Sequence, residues 1–402
     1  MDKPQVIIAG AGPVGLLVAL DLARQDIAVL VLEAEPALTI DLRAGTFHPP
    51  SLEILARHGV AQEMLQTAIK VPRWQIRDKK EGVIAEWDLG EIGDLTPYPY
   101  RLHIEQHRVT PMLYRRLTEI PHARVLFSHP VADVEQRADG VVVTAKAPDG
   151  GSPSFEGQWL VGADGGRSTV RKCVGVELKG FTWPERFAVY STTVDFAAKA
   201  YTFNAYVADP ARWGAVFKMP DEGPPGLWRV VLPVNGEESE ADSLAEETVE
   251  ERMQYFERHA GRYPIKYKSL YTVHQRVAER FRARRVLLAG DACHLNNPLG
   301  AFGLNGGIQD AANLSEKLAK VCRGEADDSL LDRYDRQRRT VNIEFVQEYS
   351  IQNLKRLAAK TEEERQINFD ELRKMTASAE GRRRFMLVST MIASMQRANA
   401  IE

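Results

Sequence analysis

The chain has little of what marks a secreted, membrane-bound or nucleic-acid-binding protein. Only three of its 402 residues are cysteine, Cys173, Cys293 and Cys322. Their wide spacing matches neither a disulfide framework nor a metal motif, which fits a reducing compartment with no bound metal. No uninterrupted apolar run approaches the roughly 20 residues of a membrane helix, so no membrane association is expected. Charge of one sign is also missing. The net charge is −3, which disfavours nucleic acid and anionic lipid as partners. The short runs Arg282-Ala283-Arg284-Arg285 and Arg382-Arg383-Arg384 read as solvated faces. No basic and apolar leader precedes the first apolar segment, and a cytoplasmic location is expected. No internal repeat stands out.

What is present is an ordinary globular composition, 44% hydrophobic and 27% charged, long enough for two domains and a substantial core. Against it stand three glycine-rich segments in order: Gly10-Ala11-Gly12-Pro13-Val14-Gly15, Gly162-Ala163-Asp164-Gly165-Gly166-Arg167-Ser168, and Gly290-Asp291-Ala292-Cys293-His294. The first follows the β-branched run Gln5–Ala9 and opens a helix over Leu16–Ala23. A second strand, Ala28–Leu32, ends at Glu33. Gly10 permits the tight turn, Gly12 lets backbone approach a pyrophosphate, and Gly15 lets helix and strand close up. The helix N-terminus offers free N–H groups to phosphate, and Glu33 can accept from ribose hydroxyls.

The two downstream segments each end a predicted strand, Gln158–Ala163 and Arg284–Ala289, where ligands of open α/β sheets bind. A long dinucleotide such as FAD is the ligand that needs all three. The turn Pro298–Gly307 then leads into a predicted helix from Ile308, whose N-terminus would face an anion such as reduced flavin. Equally, there is no second complete Gly-x-Gly-x-x-Gly unit, hence no separate nicotinamide domain. The Trp-x-Trp-x-Ile-Pro segment of flavin halogenases is also missing.

On these motifs and their order, over roughly residues 4 to 350, the chain resembles the FAD-dependent aromatic hydroxylases, the single-component flavoprotein monooxygenases typified by para-hydroxybenzoate hydroxylase. The resemblance implies an α/β fold: a Rossmann-like FAD-binding domain over 1–180 and 270–350, an inserted antiparallel substrate sheet over 181–269 with part of 72–105, and a C-terminal helical segment over 351–402. It implies that Gly10, Gly12, Pro13, Gly15 and Glu33 hold the ADP half of FAD. Asp164, Gly165 and Arg167 would serve FAD and NAD(P)H together. Gly290 and Asp291 would hold the ribityl chain, and Pro298, Gly303, Leu304 and Asn305 would line the isoalloxazine. Arg43 and Gln106 fall where the family keeps an Arg and a Gln against the cofactor. Ala301 departs from the family, which often has glycine there. NADH or NADPH and O2 are the implied co-substrates, with oxygen passing through a flavin C4a-hydroperoxide to an electron-rich aromatic or hydroxypyridine ring.

For the catalytic groups, the residues leave choices open. His48 is the candidate base, since imidazole titrates near neutrality, and it equally reads as a cap on the helix that starts at Pro49. Tyr190, Tyr201 and Tyr206 are alternative pocket hydroxyls or sheet-core aromatics. Arg212 and Arg229 are read as surface residues ahead of carboxylate ligands, and His294 as structural. Alternating patterns at Phe187–Val194 and Trp228–Leu232 predict antiparallel strands, and the acidic stretch from Glu237 a loop turning to helix. The apolar stretch Phe385–Ile392 predicts a helix packed on the body or on a partner chain, and a homodimer is expected by symmetry. Two other functions fit the same motifs: a flavin epoxidase or oxygenase tailoring a polyketide-like or isoprenoid scaffold, and a non-catalytic FAD-fold binding protein.

Overall fold

The structure, a computed structural model, describes residues 4–40, 44–221, 223 and 226–402. Its first layer is a six-stranded sheet in the order Arg282–Ala283, Val286–Leu288, Trp159–Gly162, Val6–Ala9, Val29–Leu32, Ala123–Leu126. From Val286–Leu288 to Ala123–Leu126 every pairing is parallel. Val6–Ala9, Val29–Leu32, Trp159–Gly162 and Val286–Leu288 are buried throughout, as strands of a sheet with both faces packed must be, while the edge strand Ala123–Leu126 is only partly covered. The helix Pro13–Ala23 crosses one face, buried along eight of its eleven residues.

The second layer is an eight-stranded sheet. Its order is His294–Leu295, Ile265–Ala278, Leu178–Thr192, Leu227–Val234, Gly214–Met219, Asn204–Ala208, Arg73–Asp78, Gly82–Asp88. Two of these strands are long, 15 residues in Leu178–Thr192 and 14 in Ile265–Ala278. Their paired ends at 178 and 278 reach the first layer, where Ala278 N donates to Cys293 O at 2.7 Å. The other ends carry the sheet outward. Alternation along each strand then sorts side chains onto two faces. Phe187, Val189, Tyr206 and Val231 share one apolar cluster, and Ala188, Tyr190, Val207 and Val230 share another.

The expected helix from Ile308 begins six residues earlier. Phe302–Cys322 is one helix, and its N-cap Ala301 sits in the left-handed region at φ 57°. Gly303, Leu304 and Asn305 therefore lie in a first helical turn, not in a loop. The acidic stretch forms the helices Glu240–Ser243 and Glu246–Phe256. Beyond residue 330 the described chain is helical almost throughout, with a π-helical turn at Asn342–Gln347. The predicted helix around Phe385 is Ala379–Ser389, packed on the body of the same chain. Phe385 stacks on Trp87 at 4.6 Å and on Trp74 at 5.8 Å. No helix among the described residues is long and apolar enough to cross a membrane.

Candidate active site

The three glycine segments converge at the carboxyl ends of adjacent strands. Ala163 N donates to Ala9 O at 2.9 Å, and Ala289 N to Gly162 O at 3.0 Å. Gly10, at φ 101°, lies so close to the second segment that a Cβ there would meet Ala163 O at 2.5 Å. The third segment closes on the first from the other side: a Cβ on Gly307 would sit 2.6 Å from Val14 Cγ2, and one on Gly290 would sit 3.0 Å from it. Around Gly12, by contrast, the space that a Cβ would enter is open. A walled groove with one open backbone edge at a helix N-terminus is the shape a pyrophosphate needs. The residues present fit FAD.

Several side chains expected to touch the cofactor carry structural duties. Glu33 accepts from Ala11 N at 2.5 Å and from Glu35 N at 2.9 Å while remaining half-buried, so it holds the glycine loop to the second strand's end. Asp164 caps the helix Thr169–Cys173, accepting from Thr169 N at 2.7 Å and from Ser168 Oγ. Arg167 and Asp291 are exposed. Gln106 opens the helix Gln106–Thr118, its backbone N–H on Ala44 O. Asn305 is likewise engaged within the chain. Its amide donates to Thr46 O at 2.8 Å and Ala301 O at 2.7 Å, and its oxygen accepts from His48 N at 2.8 Å. Arg43 lies outside the described residues.

His294 is buried against Asp310 at 2.6 Å, and Arg338 holds the other carboxylate oxygen at 2.7 Å. Burial pushes Asp310 upward, but His294 and Arg338 outweigh it and hold its pKa at about 2. Cys293 joins His294 and Asp310 as a cluster of metal-ligating side chains. The guanidinium already neutralises that carboxylate, so the cluster serves as an ion-pair anchor beneath Gly290, whose N–H also donates to Asp310.

Beside this groove lies a cavity with an open mouth. Its floor is one face of the eight-stranded sheet, at Trp74, Ile76 and Tyr206. One wall is the turn Gly300 to Phe302, and the opposite wall comes from the late helices through Tyr349, Arg356 and Phe385. Tyr206 accepts from Gly300 N at 3.2 Å, and among the described residues its own hydroxyl proton has no acceptor. His48 Nε2 lies 2.8 Å from Gly300 O, so this nitrogen carries the proton and buried Nδ1, without a partner, holds the lone pair. Burial, then the positive charge of Arg101, lowers its pKa to about 3. His48 is backbone N-cap of the helix Pro49–Ala56, but its side chain makes no capping bond.

Two expectations are overturned here. Tyr190 and Tyr201 point to the other face of the sheet, away from the cavity. Tyr190 donates to Ser243 O at 2.9 Å, and Tyr201 to Glu257 Oε2 at 3.0 Å. Arg229 is buried, 3.6 Å from Glu105, whereas Arg212 is half-buried and pairs with Glu251. The residue that went unread is Arg101. It is 2% exposed and lines the cavity. An arginine in a strand of apolar neighbours carried no signal of its own, because strand periodicity does not report which residue lacks a partner.

These features define an FAD-binding fold with an aromatic-walled cavity at its edge. Residues 3–349 match the family described as the FAD binding domain. The chain is 36% identical over 348 residues to para-nitrophenol 4-monooxygenase of Pseudomonas sp. (strain WBC-3), covering 85% of this chain and 84% of that protein. It is 34% identical to 6-hydroxy-3-succinoylpyridine 3-monooxygenase of Pseudomonas putida (strain DSM 28022 / S16), covering 88% and 89%. The crystal structure of p-nitrophenol 4-monooxygenase from Pseudomonas putida DLL-E4 superposes with a TM-score of 0.92 at 31% identity, over 99% of this chain and 98% of that one. The chain belongs to the FAD-dependent aromatic hydroxylases, the family of flavoprotein monooxygenases resembling para-hydroxybenzoate hydroxylase. It is an FAD-dependent aromatic monooxygenase.

Proposed function

We propose that this enzyme uses NADH or NADPH and O2 to hydroxylate a single electron-rich ring, a phenol or a hydroxypyridine. The observation that carries this reading is the aromatic chamber floored by Trp74 and Tyr206, which meets the FAD groove at Gly300. Two relatives similar along most of their length are named for acting on p-nitrophenol and on a hydroxypyridine. FAD held in this groove would supply the redox and oxygen-transfer chemistry, with the nicotinamide and O2 as co-substrates. Gly10, Gly12, Pro13 and Gly15 hold its pyrophosphate side, Glu33 its ribose, and Gly290 and Asp291 its ribityl chain. Asp164, Gly165 and Arg167 flank it, with Gln106, Pro298 and the first turn at Gly303 and Leu304 beside the ring.

The protein's own groups then orient the substrate and handle one proton. Tyr206 keeps its hydroxyl proton free to donate into the chamber while Gly300 N fixes its oxygen. His48, neutral and with its lone pair on Nδ1, accepts the proton of the substrate hydroxyl, which raises the electron density of the ring. With a pKa near 3 in the empty site, this uptake is favourable only beside the phenolate it creates. The aromatic walls exclude water from the reacting ring.

NAD(P)H oxidation with a panel of phenols, hydroxybenzoates and hydroxypyridines tests the reading, each product being weighed by mass spectrometry. Stimulated oxidation with a gain of one oxygen is expected. Oxidation that no small ring accelerates would move the enzyme to the polyketide-tailoring oxygenases. For His48, His48→Ala should slow hydroxylation and abolish the acid limb of its pH profile with flavin retained; an unchanged profile removes it from the proton step.

A further inference from the structure

The turn from Pro298 to Phe302 is built against backbone preference. Gly300 and Ala301 follow one another in the left-handed region, at φ 106° and 57°, and a Cβ on Gly300 would meet the Phe302 ring at 2.4 Å. Such a conformation persists only where its surroundings over-determine it. Here they do, and from two sides. On the chamber side Tyr206 accepts from Gly300 N, and His48 Nε2 donates to Gly300 O.

On the other side stands a buried amide network. Asn297 is wholly buried. Its Oδ1 accepts from Leu299 N at 3.1 Å, and its amide donates to Gln275 Oε1 at 3.2 Å and to Ser350 O at 2.9 Å. Both amide hydrogens and the oxygen are used, and this fixes which way the group points. Gln275, on the long strand Ile265–Ala278, is 2% exposed and donates in turn to Gln347 Oε1 and Ser350 Oγ, each at 2.9 Å. Gln347 ends the π-helical turn Asn342–Gln347, a distortion that is frequent at functional sites. Asn353 adds a longer bond from the next helix, 3.4 Å to Leu299 O. The network thus bolts the Gly300 turn to the second sheet and to the late helices.

What the turn controls is the place of one proton. Among the described residues, Gly300 O is the only partner of the His48 ring. It keeps the proton on Nε2 and the lone pair on Nδ1. If that carbonyl moves away, the other tautomer becomes available, and Nδ1 then carries a hydrogen where a base needs a lone pair.

We propose that Asn297, backed by Gln275 and helped by Asn353, is a positioning residue for His48. It holds the Gly300 carbonyl against Nε2 and so fixes the tautomer in which His48 accepts the substrate proton. This rests on the hydroxylase reading, in which His48 takes that proton. Asn297 itself forms no part of the chamber wall among the described residues, so its effect reaches the base only through the turn.

The test reads the proton without turnover. 4-Nitrophenol is mixed with the FAD-loaded enzyme in the absence of NAD(P)H, and its phenolate absorbance is followed against pH. In the wild type the bound phenol should ionise at least about tenfold more readily than in water, because a neutral imidazole accepts its proton. Asn297→Ala should lower that ionisation constant about three- to tenfold with flavin content unchanged. In a His48→Ala background the same substitution should change it less than about twofold, since a residue acting through His48 then has nothing to act through. 4-Nitrophenol that ionises in the presence of the enzyme as it does in water overturns the proposal. So does Asn297→Ala with the wild-type constant, or with an equal loss in both backgrounds. Loss of flavin in that variant would assign the turn to the cofactor and also overturns it. Where Asn297→Ala does not fold, Asn353→Ala decides: a loss of about two- to threefold that vanishes in the His48→Ala background is expected, and no loss overturns the proposal. Ionisation that depends on Asn297, in an enzyme that hydroxylates no ring, would sink the hydroxylase reading and leave this one standing. Hydroxylation with ionisation indifferent to Asn297 would do the reverse.

Discussion

The two faces of the eight-stranded sheet use the same residue types to opposite ends. On the face away from the chamber, Tyr190 donates to Ser243 O and Arg252 forks onto Glu238 with both distances 2.7 Å. On the chamber face, Tyr206 accepts one bond and, among the described residues, Arg101 pairs with no acid. On the first face this tyrosine and this arginine are answered within the chain. The second face withholds such answers where a ligand can supply them. A saturated face contributes stability, and an unsaturated one contributes recognition, because an unmet buried donor is worth most when something else completes it.

The strongest way to break this contrast is through the saturated face. Trp228 is wholly buried there. Trp228→Ala should cost about 3–5 kcal/mol of stability, seen as a lowered denaturation midpoint, while turnover per folded molecule is kept. A loss of turnover without a loss of stability would mean that the faces are not functionally separate.

Acid offers the next largest effect. His48 and His103 beside the chamber face are both lowered to about 3, chiefly by burial. The unfolded chain takes up protons on them below about 6.5, which the folded chain refuses down to about 3. Stability is therefore full above pH 6.5 and lost as pH falls, by about 1.4 kcal/mol per unit for each histidine. Urea unfolding between pH 7 and pH 5 measures the slope. His103→Asn should halve it, and an unaltered slope would assign the loss to other groups.

The tyrosines sharpen the comparison more finely. Tyr206→Phe should lower turnover roughly ten- to hundredfold, besides the cost of about 1 kcal/mol for the Gly300 N–H it leaves unpaired. Tyr190→Phe should cost about 1 kcal/mol as well with turnover kept. Matching turnover in the two variants would refute the division of roles. The smallest change expected is at Ala301, held at φ 57° where L-residues are strained. Ala301→Gly should stabilise by up to about 1 kcal/mol, after the extra freedom of glycine in the unfolded chain is subtracted. Thermal unfolding would detect it, and a lowered midpoint would show that the turn is relaxed as it stands.

Much of the FAD groove is local in origin and was legible for that reason. Strand, glycine turn and helix follow one another within the first 23 residues, and each glycine in that turn answers a requirement of nearby backbone. The chamber is different. Tyr190 and Tyr206 read alike in sequence, two tyrosines in alternating strands, and strand register alone puts one in the chamber and the other in the opposite core. That the amide of Asn305 reaches the strand at Thr46 is likewise a contact that local sequence does not report. The helix start at Phe302 was missed because glycines at 303, 306 and 307 read as turn, whereas contact with Val14 and His294 makes small residues necessary inside that helix.

The amino-acid order thus settles the parallel sheet, the cofactor class and the family, since period, turn chemistry and helix ends act over a few residues. Which arginine goes unpaired, which tyrosine keeps a free proton, and that the helix around Phe385 closes the chamber were decided only on folding. Those facts depend on which distant groups meet, and a missing partner cannot be read until all the others have found theirs.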